Sequence, residues 1–553
     1  MVRATFRRLA GVGAVTVGLA AMMAAPASAV PLWPDAGLGA WGAGALGQMG
    51  DGNTNTTNSV PQVTDASGVL SGKVVTSVSV GNNFACAVAS GAAFCWGQRS
   101  AGKLGDGGAT TGQTNTPVAV STSGVMSGKT ITTVSAGGGS ACALDTAGSA
   151  YCWGAGSQGQ LGNGGSSNVG SPVAVTMPAG KVFTSIAVGF THACASTSDG
   201  LAYCWGSNDA GQLGIGSTSP STTPVAVDMT GSLASTTVTS ITAGYSYSCV
   251  VASGAAYCWG QQEGGKLGNN DGTAFSRTTP VPVYTGGHLS GLTVTAIAAG
   301  GTSSPSAPAT PGTQGSTCAI ANGDAYCWGY GGSGRLGTGN TSNSYVALPV
   351  YKGGALSGKS IRTISVGWNN ACASTTDFGV YCWGSSASGQ VGNGTLTSSN
   401  VPVAASTPDA FKVNYSSTGA ARPVLSVSAG KDVSAAVYGY AAMPGSLTAA
   451  YTEPNLSWSA PAYLGTSSTT YYLLTYRLSS DTSGAFKTFM KVPAATTAID
   501  LEGYASAGCP AGATCVRAYG ALLPSTSYDF RVSAMNVSGN GRASGTVVVS
   551  WTP

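Results

Sequence analysis

CAVASGAAFCWG, residues 86–97, encloses Ser90-Gly91 between two cysteines and runs straight into Trp-Gly. Five further stretches repeat it: CALDTAGSAYCWG from 142, CASTSDGLAYCWG from 194, CVVASGAAYCWG from 249, CAIANGDAYCWG from 318 and CASTTDFGVYCWG from 372. In the shorter versions the midpoint is Ser90-Gly91, Ser253-Gly254 or Asn322-Gly323, pairs suited to a two-residue hairpin with glycine where positive φ is needed. Counting outward from that turn sets Cys86 opposite Cys95, at a non-hydrogen-bonded site where Cα atoms lie about 4.5 Å apart, within disulfide reach. The same count pairs Cys249 with Cys258 and Cys318 with Cys327. The longer versions pair Cys142 with Cys152, Cys194 with Cys204 and Cys372 with Cys382 around one more loop residue. Gly148 and Gly200 take its left-handed third position, whereas Phe378 departs from this, with Gly379 one place late.

Trp-Gly recurs at Trp41, Trp96, Trp153, Trp205, Trp259, Trp328 and Trp383. Each cysteine hairpin follows an alternating strand that ends in glycine, such as VVTSVSVG or SIRTISVG. Each Trp-Gly precedes a glycine loop, such as GKLGDG or GRLGTG, and then a Pro-Val strand such as TPVAV. Proline there implies an outer edge strand, where a missing N–H is harmless. A unit is therefore four short strands, and a stack of such sheets buries both faces of each by closing into a ring. The chain opens mid-unit with LGAWGAGALGQMGDG and later offers VLSVSAGKDVSAAVYG, two halves that complete a seventh blade. Ala40 and Ala435 stand where that blade would carry its cysteines, so both partners of the seventh staple are absent together.

The string G-x4-C-A-x4-G-x2-Y-C-W-G-x5-G-Q-L-G-x-G resembles the repeat of the regulator of chromosome condensation (RCC1-like) family. The resemblance implies an all-β fold: a seven-bladed propeller over residues 30–441, closed by N- and C-terminal strands sharing one blade. The family's histidine before the second strand is kept at His192, and Phe84, Ser140, Tyr247 and Asn370 replace it elsewhere. One unit carries an insert, residues 301–316, rich in Pro and Ser. From residue 442 to 553 the pattern changes and resembles a fibronectin type III domain. Trp458 precedes a Pro turn, Tyr472 and Tyr476 alternate on a strand, and Leu522-x-Pro524-x-Thr526-x-Tyr528 matches the tyrosine corner of a β-sandwich. Cys509 and Cys515 lie in an inserted loop before that corner and pair with each other.

With 84 glycines and 8% charged residues among 553, the chain has the composition of many short strands joined by tight turns. Residues 1–29 read as a secretory signal peptide: Arg3, Arg7 and Arg8, an apolar stretch, then Ala27-Ser28-Ala29. Removing those arginines, with no acid among residues 1–29, takes the formal charge from +4 to +1. A nearly neutral surface without Lys/Arg clusters argues against nucleic acid or anionic membrane as partner. No later apolar segment is long enough to span a bilayer. Export to an oxidising compartment suits the paired cysteines. The expectation is a secreted, extracellular monomer.

Chemistry finds little support. His192 and His288 are the only histidines, and neither has a triad context; no CxxC exists for zinc or redox work. Asp51 and Asp106 sit in GDG loops whose equivalents carry Asn, Ile or Thr, which suggests turn duty and not a glycosidase pair or a calcium site. The reading is non-enzymatic, with no catalytic residue, metal or cofactor. What varies while its flanks repeat is the loop after the first strand of each blade: NNF at 82–84, GGS at 138–140, FTH at 190–192, YSY at 245–247 and WNN at 368–370. Large aromatics converging at one mouth would make a binding platform. The binding candidates are Phe190, Tyr245 and Trp368, followed by Phe84, Tyr247 and Asn369. The partner expected is an extracellular protein, a mode similar to that of secreted β-lactamase-inhibiting propellers of the family; the alternative is a cell-wall polysaccharide. Guanine nucleotide exchange, the activity of the family's nuclear members, ranks below both because export separates the chain from GTPases.

Overall fold

The computed structural model describes residues 37–54, 57–65, 68–71, 73–303, 313–406 and 424–438, together with strands beyond residue 454. Each unit forms four antiparallel strands. In blade 1 the order from inside to outside is Val75–Val80, Phe84–Ala89, Ala92–Gln98 and Gln113–Ala119. The inner strands of blades 2 to 6 are Ile131–Ala136, Phe183–Val188, Val238–Ala243, Val294–Ala299 and Ile361–Val366. Blade 7 is composite: Val424–Ala429 and Val433–Tyr438 supply its inner half, and Gly37–Ala43 and Thr57–Val63 its outer half. Each inner strand touches the next around the ring, and the seventh touches the first.

Hairpin turns set the register inside each blade. Ser90 and Gly91 have φ of 47° and 78°, as do Ser253-Gly254 and Asn322-Gly323 within a few degrees, the positive pair that a tight hairpin requires. Cys86 then faces Cys95 directly. Six disulfides form in this way among the described residues, with Cα atoms 4.0–4.1 Å apart. In blade 6 it is Phe378, and not the glycine beside it, that takes the left-handed position, at φ 69°. In blade 7 Ala40 faces Ala435.

Sheets of this kind have no single core. The second strand is buried on both faces, so it reads as a continuous small-residue run: in blade 1, Ala85, Ala87 and Ala89 pack toward blade 7, and Phe84, Cys86 and Val88 toward blade 2. The seven tryptophans are wholly buried. Each donates its indole N–H to a carbonyl in the glycine loop of the preceding blade at 2.9–3.1 Å, from Trp41 to Gln390 through Trp383 to Arg335. The glycine two residues beyond that carbonyl lies against the same indole; a Cβ on Gly105 would sit 2.7 Å from Trp153. This is the physical content of the Q-L-G pattern.

Beyond the ring, Asn455–Ser457 pairs with Ala498–Asp500. A second sheet centres on Tyr471–Leu478, which lies between Lys487–Pro493 and Thr526–Asn536; the last also pairs with Gly539–Ala543 and Val547–Trp551. The signal peptide, Cys509 and the turn of the tyrosine corner lie outside the described residues, whereas Cys515, expected in a loop, falls in the short strand Thr514–Cys515 paired with Lys487–Pro493. Joining Ala40 to Ala435 would tie the two halves of blade 7 covalently. The Ala40→Cys/Ala435→Cys variant is expected to gain up to about 5 kcal/mol from the long loop it closes, read as a higher urea midpoint that reverts on selective reduction.

The aromatic mouth as candidate functional site

First and third strands of a blade run the same way, so the loops that follow them emerge on one face. The inner strands end there in glycines: Gly81, Gly137, Gly189, Gly244, Gly300, Gly367 and Gly430. A Cβ on Gly137, Gly300 or Gly367 would lie 2.1–2.2 Å from the glycine carbonyl of the next blade. Only glycine fits a ring drawn this tightly. In five of the seven loops the next residue then donates its amide to that carbonyl: Asn82 to Gly137, Gly138 to Gly189, Phe190 to Gly244, Gly301 to Gly367 and Trp368 to Gly430. The collar bounds a funnel of about 410 Å³, open to solvent.

Phe190, Tyr245 and Trp368 occupy this first loop position in blades 3, 4 and 6, and the structure brings them together. Phe190 stacks on Tyr245 with centroids 4.4 Å apart and meets Trp368 edge-on at 6.0 Å across the axis. Gly138 leaves the room: a Cβ there would fall 2.6 Å from the Phe190 ring. All three rings stay half-buried, packed on one another and still facing solvent. Asn369 is half-buried beside Trp368, its carbonyl accepting the Ser385 amide and its Oδ1 without a partner. Farther out on this face the third-to-outer loops expose Phe275 and Leu396.

Two expected binding residues are not at the mouth. Phe84 and Tyr247 are fully buried. They start second strands and lie opposite the glycine after Trp-Gly's tryptophan, Gly97 and Gly260, which turns them into the gap between blades. Phe84 packs between blades 1 and 2. Tyr247 donates its hydroxyl to the carbonyls of Gly300 and Ser316 and accepts from Thr317, a blade 4 to blade 5 tie. Burial pushes its phenol well above the usual range.

Sequence reading missed three cations near the mouth. Lys103, Lys266 and Arg335, in the glycine loops, are almost completely buried. Arg335 Nη1 donates to the Trp368 carbonyl at 2.8 Å, and Lys103 Nζ to the Asn82 carbonyl at 2.9 Å. Burial holds Lys103 down to about 8, helped by nearby Lys431. The signal available was a column alternating Gln, Lys and Arg, where one long polar chain is always present.

Among the described residues no group of three or more His, Cys, Asp and Glu could hold a metal, and no helix is long and apolar enough to cross a membrane. Residues 32–350 match the RCC1-like domain, and residues 361–390 and 379–437 match the regulator of chromosome condensation (RCC1) repeat. The ultraviolet-B receptor UVR8 of Arabidopsis thaliana is 30% identical over 345 residues, 62% of this chain and 72% of that protein. The Homo sapiens E3 ubiquitin-protein ligase HERC2 is 29% identical over 346 residues, which span 6% of the ligase. Among solved structures, human WBSCR16 has a TM-score of 0.60 at 18% identity, covering 73% of this chain and 99% of that one. Prp20p from Saccharomyces cerevisiae, described with its binding to Gsp1p and histones, has a TM-score of 0.60 at 16% identity, covering 74% and 93%. These structural likenesses carry the fold alone.

His192, next to the mouth, provides a pH signature. Its Nε2 bonds Ser248 Oγ at 2.9 Å, and complete burial pushes its pKa down to about 4. The folded chain thus holds the neutral ring, so the contribution is complete above the unfolded value near 6.5 and is lost as pH falls from there toward 4, about 3 kcal/mol in all. Asn370 makes the equivalent bond to Ser434 in blade 6. His192→Asn should therefore shrink the stability difference between pH 7 and pH 4 by about that amount in urea titrations.

Proposed function

The chain belongs to the RCC1-like domain family, and from that premise we propose that it is a non-enzymatic, secreted recognition propeller that docks a protein partner on the aromatic mouth. The observation that carries this reading is the convergence of Phe190, Tyr245 and Trp368 from three separate blades on one half-exposed cluster. A rigid collar beneath them means that little side-chain or loop freedom is lost on docking, which favours affinity. Aromatics of this kind, ringed by polar loops, are the usual energetic centre of an interface. The six disulfides support an oxidising, extracellular setting. The two antiparallel sheets beyond residue 454 support a fibronectin type III tail acting as spacer.

The test uses the oxidised full chain as bait for the producer's secreted proteins and its purified cell wall. The Phe190→Ala/Tyr245→Ala/Trp368→Ala variant should lose the captured protein by at least a hundredfold in affinity, about 3 kcal/mol. Tyr284→Ala/Tyr351→Ala, exposed after outer strands and therefore on the opposite face, should retain it. Retention by wall polysaccharide alone would move the assignment to the glycan reading, and capture unchanged in the triple variant would remove the mouth from it. Small GTPases incubated with the chain should show no acceleration of nucleotide exchange.

A further inference from the structure

At one position of the glycine loop four blades carry Gln48, Gln160, Gln212 and Gln390, and three carry Lys103, Lys266 and Arg335. All seven are at most 3% exposed. The glutamines turn back on their own loops, each accepting a nearby amide through Oε1 at 2.8–2.9 Å. Lys103 and Arg335 reach the other way, to the carbonyls of the mouth loops at Asn82 and Trp368. Lys266 bonds Gln261 Oε1 at 2.9 Å and lies 5.5 Å from the centre of the Tyr247 ring. Lys431, in the mouth loop of blade 7, lies 5.1 Å from the centre of the Trp368 ring with a third of its side chain exposed.

Two cations therefore touch the aromatic cluster, Arg335 at the Trp368 carbonyl and Lys431 over the Trp368 ring, while Lys103 reaches the Asn82 loop of blade 1 and Lys266 lies beside Tyr247; Asp432 stands beside Lys431 and Glu263 near Lys266. Burial opposes the charged form, lowering Lys266 to about 7 and Arg335 to about 10. The fold does not require that charge, because a neutral glutamine closes the same loop in four blades. Positive groups under a low-dielectric rim focus a field outward through the mouth.

Resting on the reading of the mouth as a protein-docking surface, we propose that its partner presents an acidic segment, with an apolar side chain stacked on Phe190, Tyr245 and Trp368 and carboxylates facing Lys103, Lys266, Arg335 and Lys431. The complement is electrostatic and long-range for the three buried cations and direct for Lys431.

The probe is a short labelled peptide with aspartates flanking a central tryptophan, compared with its Asn-for-Asp and Lys-for-Asp counterparts by fluorescence anisotropy on the oxidised full chain. The acidic peptide should bind at least about tenfold more tightly than the asparagine peptide, weaken with added salt, and exceed the lysine peptide by more. Lys103→Gln/Lys266→Gln/Arg335→Gln should weaken it at least about tenfold while the thermal midpoint holds or rises, since glutamine is the other blades' own solution. Equal binding of acidic and neutral peptides, no binding of the acidic peptide, or undiminished binding by the glutamine variant overturns the proposal. If the glutamine variant keeps the captured protein and the alanine variant loses it, the mouth docks its partner without charge and only this inference fails. If the alanine variant also keeps it, the docking reading itself fails.

Discussion

The bond from each tryptophan indole to a loop carbonyl of the blade before it is the constraint on which the ring depends. An indole N–H buried without a partner costs about 1–3 kcal/mol, so the carbonyl has to arrive wherever the tryptophan does. Meeting it drags the glycine loop down between the outer strands of neighbouring blades, which seats a leucine such as Leu104 or Leu161 in the interblade core. One hydrogen bond per gap thereby sets both the spacing of the blades and the path of the longest loops. Serine and threonine hydroxyls repeat the device nearer the axis: Ser79 accepts the Ala136 amide, Ser135 that of Val188, and Ser428 that of Val80.

Spacing fixed at the tryptophans is felt most at the centre, where the inner strands have least room. Glycine is needed at the strand ends because the space of a Cβ is taken by the next blade's carbonyl in five blades, by the Tyr247 ring at Gly244 and by the Val80 side chain at Gly430. The same crowding aims the following residue along the axis, so whatever side chain stands there becomes part of the mouth. Asn82, Gly138 and Lys431 occupy that position on one arc, and Phe190, Tyr245 and Trp368 on the other. The scaffold is therefore nearly symmetric and its mouth is not, and the sidedness comes from about one residue per blade.

Much of the frame can be read from the sequence because its causes are local. A two-residue turn forces Cys86 onto Cys95, and a proline forces its strand outward. The importance of Trp96 is equally visible, but its partner at Gln48 is not, since 48 residues separate them. Phe84 and Tyr247 mislead because a variable aromatic after a loop looks the same whether it faces solvent or the next blade. The glycine opposite decides it, at φ 105° for Gly97 and 99° for Gly260. Lys103, Lys266 and Arg335 were hidden for a different reason: a lysine among glycines reads as solvated until the loop is known to wedge between blades. The stacking of Phe190 on Tyr245 follows from the adjacency of blades 3 and 4, and the meeting of Phe190 with Trp368 from ring closure.

Among the described residues every disulfide joins adjacent strands of one blade, and none crosses a gap. In blade 7 Gly37 pairs with Tyr438, so the chain enters and leaves the ring at neighbouring rungs of one ladder. Tension applied through the flanking segments loads that ladder one rung at a time, the peeling geometry, and not all rungs together as in shear. Mechanically the molecule is six riveted plates and a zip. A pull from a tethered tail is taken up first by blade 7, and the mouth loop carrying Lys431 lies between the two inner strands of that blade.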